Sequence, residues 1–518
     1  MALPHSVATL GGYTLGSRIL GFVRDILIAN VLGAGMIADA FFVAFKFPNF
    51  FRRLFAEGAF NAAFVPLYAR RLAKGGLEPA RQFAGEAAAV LLTALAAFTI
   101  TAMVAMPWLM FALAPGFVEY PDKLALTTEL TRLTFPYLMF MALMALLGGM
   151  LNSLERFAAT AAAPMLLNIV LIATLVLTQV GIFNLPGHAL AWGVALAGAV
   201  QFVAIAWACH RAGIMIRLPR PRLTPGVRRL LILIAPGLIG AGVVQVNLVI
   251  DVILASFLSE GSVSYLYFAD RVNQLPLGVV GVAVGVALLP LLSRQLGVGD
   301  NEGARASQNR AIEFSMLLTL PATAALIVMP LPIITVLFQR GAFDLSAAEA
   351  TADALAAFAC GLPAYVLIKT LTPAFFARED TATPVKIATT AMAVNIILAV
   401  ILMQYWSHVG IALATAISAW LNVIFLVVVL WRRGHLDPDR QLFIRFPCTI
   451  LASAVLGLAL WQAARRFAAM FHGPLWQQSV TLALFVFGGA ILFAILAQIC
   501  GAADIRELIT VFRRRPTA

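Results

Sequence analysis

Residues 10–32 read LGGYTLGSRILGFVRDILIANVL, 23 residues in which Arg18, Arg24 and Asp25 are the only charges. A bilayer hydrocarbon core is crossed by a helix of about 20 apolar residues, so this stretch is long enough to span one. An ionisable side chain at that depth costs at least about 2.5–3.5 kcal/mol and is normally directed at a cavity or a partner. Spacings of seven place Ser17 with Arg24, and Arg18 with Asp25, on neighbouring stripes of one broad polar face.

Working outward, fourteen such segments follow one another, near 10–32, 37–66, 83–109, 129–151, 159–180, 188–209, 230–258, 263–292, 312–338, 347–375, 383–403, 408–431, 445–464 and 477–500. The whole chain of 518 residues is 62% hydrophobic and 12% charged, about half the charge of a soluble protein, and its mean hydropathy is +0.93. The expected fold is therefore an all-α polytopic membrane protein. Connections of a few to about twenty residues leave no room for a soluble catalytic, nucleotide-binding or DNA-binding domain. No Gly-Lys pair occurs, so the phosphate-binding loop of ATPases is absent. The four cysteines lie far apart in apolar segments, without CxxC spacing, and read as packing residues. No cation precedes Arg18 and no cleavage site is seen, so the first helix is expected to be retained.

The net charge of +12 reads as topology. Of 36 Lys and Arg, 24 fall in the even-numbered connections and the C-terminal tail. Only Lys123, Arg340, Arg465 and Arg466 fall in the odd-numbered ones. The positive-inside asymmetry then places both termini in the cytoplasm. The basic excess is spent on orientation and on anionic membrane lipids, and no nucleic-acid partner is expected.

An internal repeat runs through the chain. Phe64-Val65-Pro66-Leu67-Tyr68-Ala69-Arg70 matches Leu288-Leu289-Pro290-Leu291-Leu292-Ser293-Arg294 at an offset of 224. Met106-Pro107 matches Met329-Pro330, Gly116-Phe117 matches Gly341-Ala342-Phe343, Pro136 matches Pro363, and Asn168 matches Asn395, at offsets of 223 to 227. Duplication of a six-helix unit keeps its orientation, so two lobes, 1–210 and 211–440, are expected about a pseudo-two-fold axis along the membrane normal. Residues 441–518 add two helices and a basic tail.

Eight cations remain inside segments: Arg18, Arg24, Lys46, Arg52, Arg53, Arg132, Arg271 and Lys369. Five belong to the first two helices, where Asp25, Asp39 and Glu57 leave a positive excess, while Asp270 offsets Arg271. Arg18–Asp25 and Asp39–Lys46 are candidate ion pairs, and Arg132 and Lys369 are expected to snorkel to an interface. An arginine excess in a cavity calls for an anion, and the planar guanidinium fork suits a phosphate or diphosphate.

Residues 17–25, SRILGFVRD, with 39–46, DAFFVAFK, and 49–60, NFFRRLFAEGAF, resemble the MurJ/MviN lipid II flippases, as do 261–265 with 268–271, and 380–386, DTATPVK. The resemblance covers nearly the whole chain. It implies membership of the multidrug, oligosaccharidyl-lipid and polysaccharide exporter superfamily, with helices thirteen and fourteen forming a groove for a polyprenyl tail. It implies a transporter rather than an enzyme, in the bacterial inner membrane, acting on lipid II and touching membrane lipids and cell-wall synthesis proteins. Substrate contacts carry over to Arg18, Arg24, Arg271, Arg52, Ser17 and Asp39, with Asp25, Glu57 and Asp270 supporting. The expected action is alternating access, with the diphosphate held by cavity arginines.

No cofactor is expected. Drive would come from membrane potential or a sodium ion, for which the resemblance suggests Asp251, Asn395 and Thr415; Ala399 replaces a second carboxylate of that site. Flipping of another polyprenyl-diphosphate oligosaccharide is the alternative, and a cation-coupled drug exporter a more distant one, since a hydrophobic cation wants an acidic cavity.

Overall fold

The computed structural model describes the backbone of residues 2–52 and 60–503, with side chains over those ranges except at 2–10, 52, 236–248, 282, 283 and 286. Among the described residues there is no strand, as the hydropathy pattern predicts, and seventeen helices follow one another. They are α1 (Ala2–Leu32), α2 (Met36–Arg52), α3 (Phe60–Gly75), α4 (Leu77–Leu113), α5 (Pro121–Thr134), α6 (Tyr137–Asn152), α7 (Ala158–Gln179), α8 (Pro186–Arg211) and α9 (Pro225–Ser256). Then come α10 (Ser262–Pro276), α11 (Val282–Gly297), α12 (Asn301–Val328), α13 (Pro330–Phe338), α14 (Leu345–Phe376), α15 (Ala382–Arg432), α16 (Arg440–Arg466) and α17 (Leu475–Ile499).

Nine spans among the described residues are individually long and apolar enough to cross a membrane. Two of the differences from fourteen have local causes. The expected eighth segment is interrupted by Pro276 and a π-turn at Leu277–Gly281, while the ninth ends at Met329-Pro330 and is still counted, as Asn301–Val328. The eleventh and twelfth are joined in the 51-residue α15 across a sharp bend at Trp406 and Ser407. Helix ends also move outward: α3 runs to Gly75 and α4 begins at Leu77, so Arg70, Arg71, Lys74 and Arg81 are helical rather than in a loop.

Prolines inside helices orphan the carbonyl four residues earlier, and α5 supplies two of the missing donors. Pro48 leaves the Ala44 carbonyl without an amide, and the Thr134 hydroxyl donates to it at 2.9 Å. Pro107 does the same to Met103, whose carbonyl accepts from Arg132 Nε at 2.9 Å. Arg132 therefore does not snorkel as the sequence suggests; it satisfies a proline kink. Lys369 is exposed, and its stem lies against Gly281, where a Cβ would sit 2.9 Å from Lys369 Cδ.

Contacts group the chain into two compact units, residues 1–264 with 340–343, and residues 265–339 with 344–518. Within the first, Phe60, Phe64, Tyr68 and Phe83 form a ladder of stacked rings, with centroids 5.2 to 5.8 Å apart, at the heart of the core. Within the second, α16 and α17 pack on α12 and α13 through Ala452, Leu456, Phe493 and Ala497. Their outer faces stay apolar and exposed, as at Phe487 and Ile491, which suits surfaces turned to lipid.

A buried charge cluster in the first unit

Helix α1 buries two of its three charges. Arg24 is 5% exposed and Asp25 fully enclosed. Arg24 Nε and Nη2 both donate to Asp25 Oδ1, at 3.0 and 2.6 Å, and Nη1 donates to Asn168 Oδ1 on α7 at 3.0 Å. Asn168 returns its amide to the Ser17 carbonyl at 2.9 Å, so Ser17 enters the cluster through its backbone. The Phe45 ring lies 5.9 Å from the guanidinium carbon. Arg18, one stripe away, is exposed. A lone guanidinium at this depth is costly, and the adjacent carboxylate lowers that cost only because the geometry is close and hydrogen-bonded. The ion pair seen here is thus Arg24–Asp25, between neighbours in the chain, where spacing suggested Arg18–Asp25.

Asp39 anchors a second cluster. It is fully buried in the first turn of α2, and its Oδ2 accepts from Lys123 Nζ at 2.7 Å and from the Gly261 amide at 2.8 Å. Oδ1 accepts from the Ser264 amide at 2.9 Å and the Ser264 hydroxyl at 2.6 Å. A carboxylate against the first amides of a helix is favourable through both its hydrogen bonds and the helix dipole, and the helix so capped is α10. The favour is returned, since the Met36 amide at the start of α2 donates to Glu260 Oε1 at 2.6 Å. Asp39 therefore pairs with Lys123, and not through the Lys46 spacing alone that the sequence offered. Lys123 is itself buried, its ammonium 4.2 Å from the Phe117 ring centre.

Two loops close over the same region, and both were marked by the repeat. The Gly116 amide donates to Ser256 Oγ at 3.1 Å at the end of α9. At its repeat partner, the Ala342 amide donates to the Asn30 carbonyl at 2.9 Å near the end of α1. A Cβ on Gly116 would lie 2.2 Å from the Ser256 carbonyl oxygen, and one on Gly341 2.3 Å from that of Asn30. Gly33 (φ 68°) and Gly341 (φ 55°) also adopt left-handed backbone that other residues resist. Burial holds the Arg340 guanidinium, in the same loop, below its usual pKa. Gly341→Ala is expected to lower stability by about 1–3 kcal/mol more than Gly213→Ala. Gly213, after the end of α8, also has a positive φ (71°) but open space around it; thermal unfolding of both variants checks the difference.

Other candidate residues are placed as follows. Asp270 and Arg271 are half-buried on α10, in the second unit, where Gln274 Nε2 donates to Asp270 Oδ2 at 2.5 Å. Glu57 and the Arg52 side chain lie outside the described residues. Asp251 is half-buried on α9 in the first unit, while Asn395 and Thr415 belong to α15 in the second. Asn395 is buried, and Thr415 Oγ1 donates to its own helix at the Ile411 carbonyl, 3.0 Å away. Lys123, Ser264 and Glu260 are the residues sequence reasoning missed. The signal for Lys123 was present: it is the sole cation of its connection.

Long apolar helices that bury ion pairs define a polytopic membrane protein. A solved structure described as an inward-facing multidrug resistance transporter of the MATE family, in the MOP superfamily, shares the fold at 15% identity and a TM-score of 0.67, over 81% of this chain and 94% of its own.

Closer relatives settle the family. The family model described as Lipid II flippase MurJ matches residues 28–480. A probable lipid II flippase MurJ of Rhizobium meliloti (strain 1021) is 46% identical over 97% of this chain and 95% of its own. The lipid II flippase MurJ of Burkholderia cenocepacia is 33% identical over 96% of this chain and 97% of its own. A structure described as lipid II flippase MurJ in an inward closed conformation superposes with a TM-score of 0.78 at 27% identity, over 96% of this chain and 99% of its own. This chain belongs to the lipid II flippase MurJ family.

Proposed function

We propose that this protein carries lipid II, the diphosphate-linked disaccharide-pentapeptide precursor of peptidoglycan, from the cytoplasmic to the outer leaflet of the bacterial inner membrane. Both termini lie in the cytoplasm on this reading, and cell-wall synthesis proteins receive the product. The observation that carries it is the Arg24 guanidinium, buried in α1 and oriented by Asp25 and Asn168. A substrate diphosphate offers the same kind of acceptor as Asp25, so it can share or take over those donors without leaving a bare charge in the membrane. Arg18, Arg52 and Arg271 add positive charge for the diphosphate, Ser17 lies beside the Arg24 cluster, and Asp270 supports Arg271. Asp39 acts at one remove, by closing the outer side.

Alternating access then requires the Asp39, Glu260, Gly116 and Gly341 contacts to part as the substrate leaves outward. These contacts tie together the connections that carry the fewest cations, on the side the charge asymmetry assigns to the periplasm. Complementation tests the reading: in a bacterium depleted of its own lipid II flippase, the chain is expected to restore growth and cell shape. Growth that stays arrested with well-inserted protein contradicts it and moves the assignment to another polyprenyl-diphosphate oligosaccharide.

Drive by membrane potential or sodium is part of the proposal. Asp251, Asn395 and Thr415 offer one carboxylate and two neutral oxygen donors, a hard set that suits a monovalent cation. Asp251→Asn is expected to remove any sodium dependence of transport, measured with sodium replaced by choline; a retained dependence excludes Asp251 as ligand.

A further inference from the structure

A groove of about 350 Å3 opens between α3 and α9 in the first unit. Its floor is Ala62, Ala63, Pro66, Leu67 and Leu233, and its rim carries Arg70 and Arg229. Among the described residues no carboxylate lines it. Both arginines are exposed, whereas Arg71 beside them is committed: its guanidinium sits 3.8 Å over the Phe83 ring and donates to the Leu67 carbonyl. Arg229 lies in the second turn of α9, whose start is fixed by Pro225 and by Thr224, which donates to Glu86 at 2.8 Å. The positive end of the α9 dipole thus adds to the two guanidiniums.

Two exposed guanidinium forks above an apolar floor select an amphiphile with an anionic, phosphate-type head. Two guanidiniums match the two phosphoryl groups of a diphosphate better than the single charge of a glycerophosphate. The groove is too small for a disaccharide-peptide, so that part of such a lipid would stay outside it. We propose that the groove is a loading subsite that takes the diphosphate of a prenyl-diphosphate lipid between Arg70 and Arg229, with the first isoprene units on the Ala62, Pro66 and Leu233 floor. The inference rests on the transport reading above, and adds a site separate from Arg24 on the side assigned to the cytoplasm.

Calorimetric titration of the purified full chain with farnesyl diphosphate tests it. Wild type is expected to bind at two sites. In Arg70→Gln/Arg229→Gln one of them weakens by about tenfold or more, and in Arg24→Lys the other does. Ala62→Trp, which fills the floor and keeps both arginines, is expected to remove the same site as the double variant. Wild-type binding by the double variant overturns the subsite, as does wild-type binding by Ala62→Trp, which would reduce the effect to diffuse charge. Unchanged binding in Arg24→Lys beside a weakened double variant counts against the transport site and leaves the subsite standing. Dihexanoyl phosphatidylglycerol is expected not to displace farnesyl diphosphate at equal concentration. Displacement would assign the groove to an anionic bilayer lipid and overturn the prenyl-diphosphate assignment.

Discussion

Asp39→Asn is expected to be among the most damaging single changes outside the transport site, lowering stability by about 3–5 kcal/mol. Oδ2 takes Lys123 and the Gly261 amide, and Oδ1 takes the Ser264 amide and hydroxyl. An amide has one oxygen, so either orientation turns an NH2 group toward two donors and leaves the Lys123 ammonium buried without its counter-charge. Lys123→Met is expected to cost less, because Asp39 keeps three donors from Gly261 and Ser264. Thermal unfolding of the purified variants, followed by intrinsic fluorescence, gives the order. If Asp39→Asn proved as stable as wild type, or more stable than Lys123→Met, the carboxylate would not be what holds this junction.

The second large effect separates charge from shape. Arg24→Lys keeps a cation beside Asp25, so the buried pair survives and unfolding is expected within about 1 kcal/mol of wild type. A lysine ammonium is a point donor and cannot span Asp25 and Asn168 as the fork does, at 2.6 and 3.0 Å on opposite edges. Lipid II transport is expected to fall by about tenfold or more. Arg24→Ala, by contrast, removes the close counter-charge of the enclosed Asp25 carboxylate and is expected to lose stability and transport together. Full transport by the lysine variant would mean that net charge alone serves the substrate.

Much of this was legible in the sequence, for reasons that differ by residue. Helices announce themselves because each must bury or turn to lipid about twenty apolar residues, and the repeat survives in prolines and glycines that fix kinks and turns. Arg24 stood out because charge in an apolar helix is costly. Its partner did not: helical spacing favours residues three, four or seven apart, whereas Asp25 is reached by the side chain curling back from the next position. Lys123 was hidden by the same counting that gave the topology, since a cation in a short connection reads as solvated until a buried acid is found against it. The Arg132 contact could have been anticipated. Pro107 must orphan the Met103 carbonyl, and a nearby donor then has a reason to be there. The repeat flagged Gly116 and Gly341 as equivalent without showing why. Each lets a loop lie directly on the backbone at the end of a helix far away in the chain, α9 and α1 respectively, where even a methyl group would collide.

The most direct measurement follows lipid II itself. Cells depleted of their own flippase receive this chain or its Arg24→Lys form, and the share of lipid II open to an enzyme acting only from outside is scored. Wild type is expected to restore exposure, and Arg24→Lys, inserted to the same level, to restore about a tenth of it or less. Equal exposure with both would contradict a transport site built on the buried arginine.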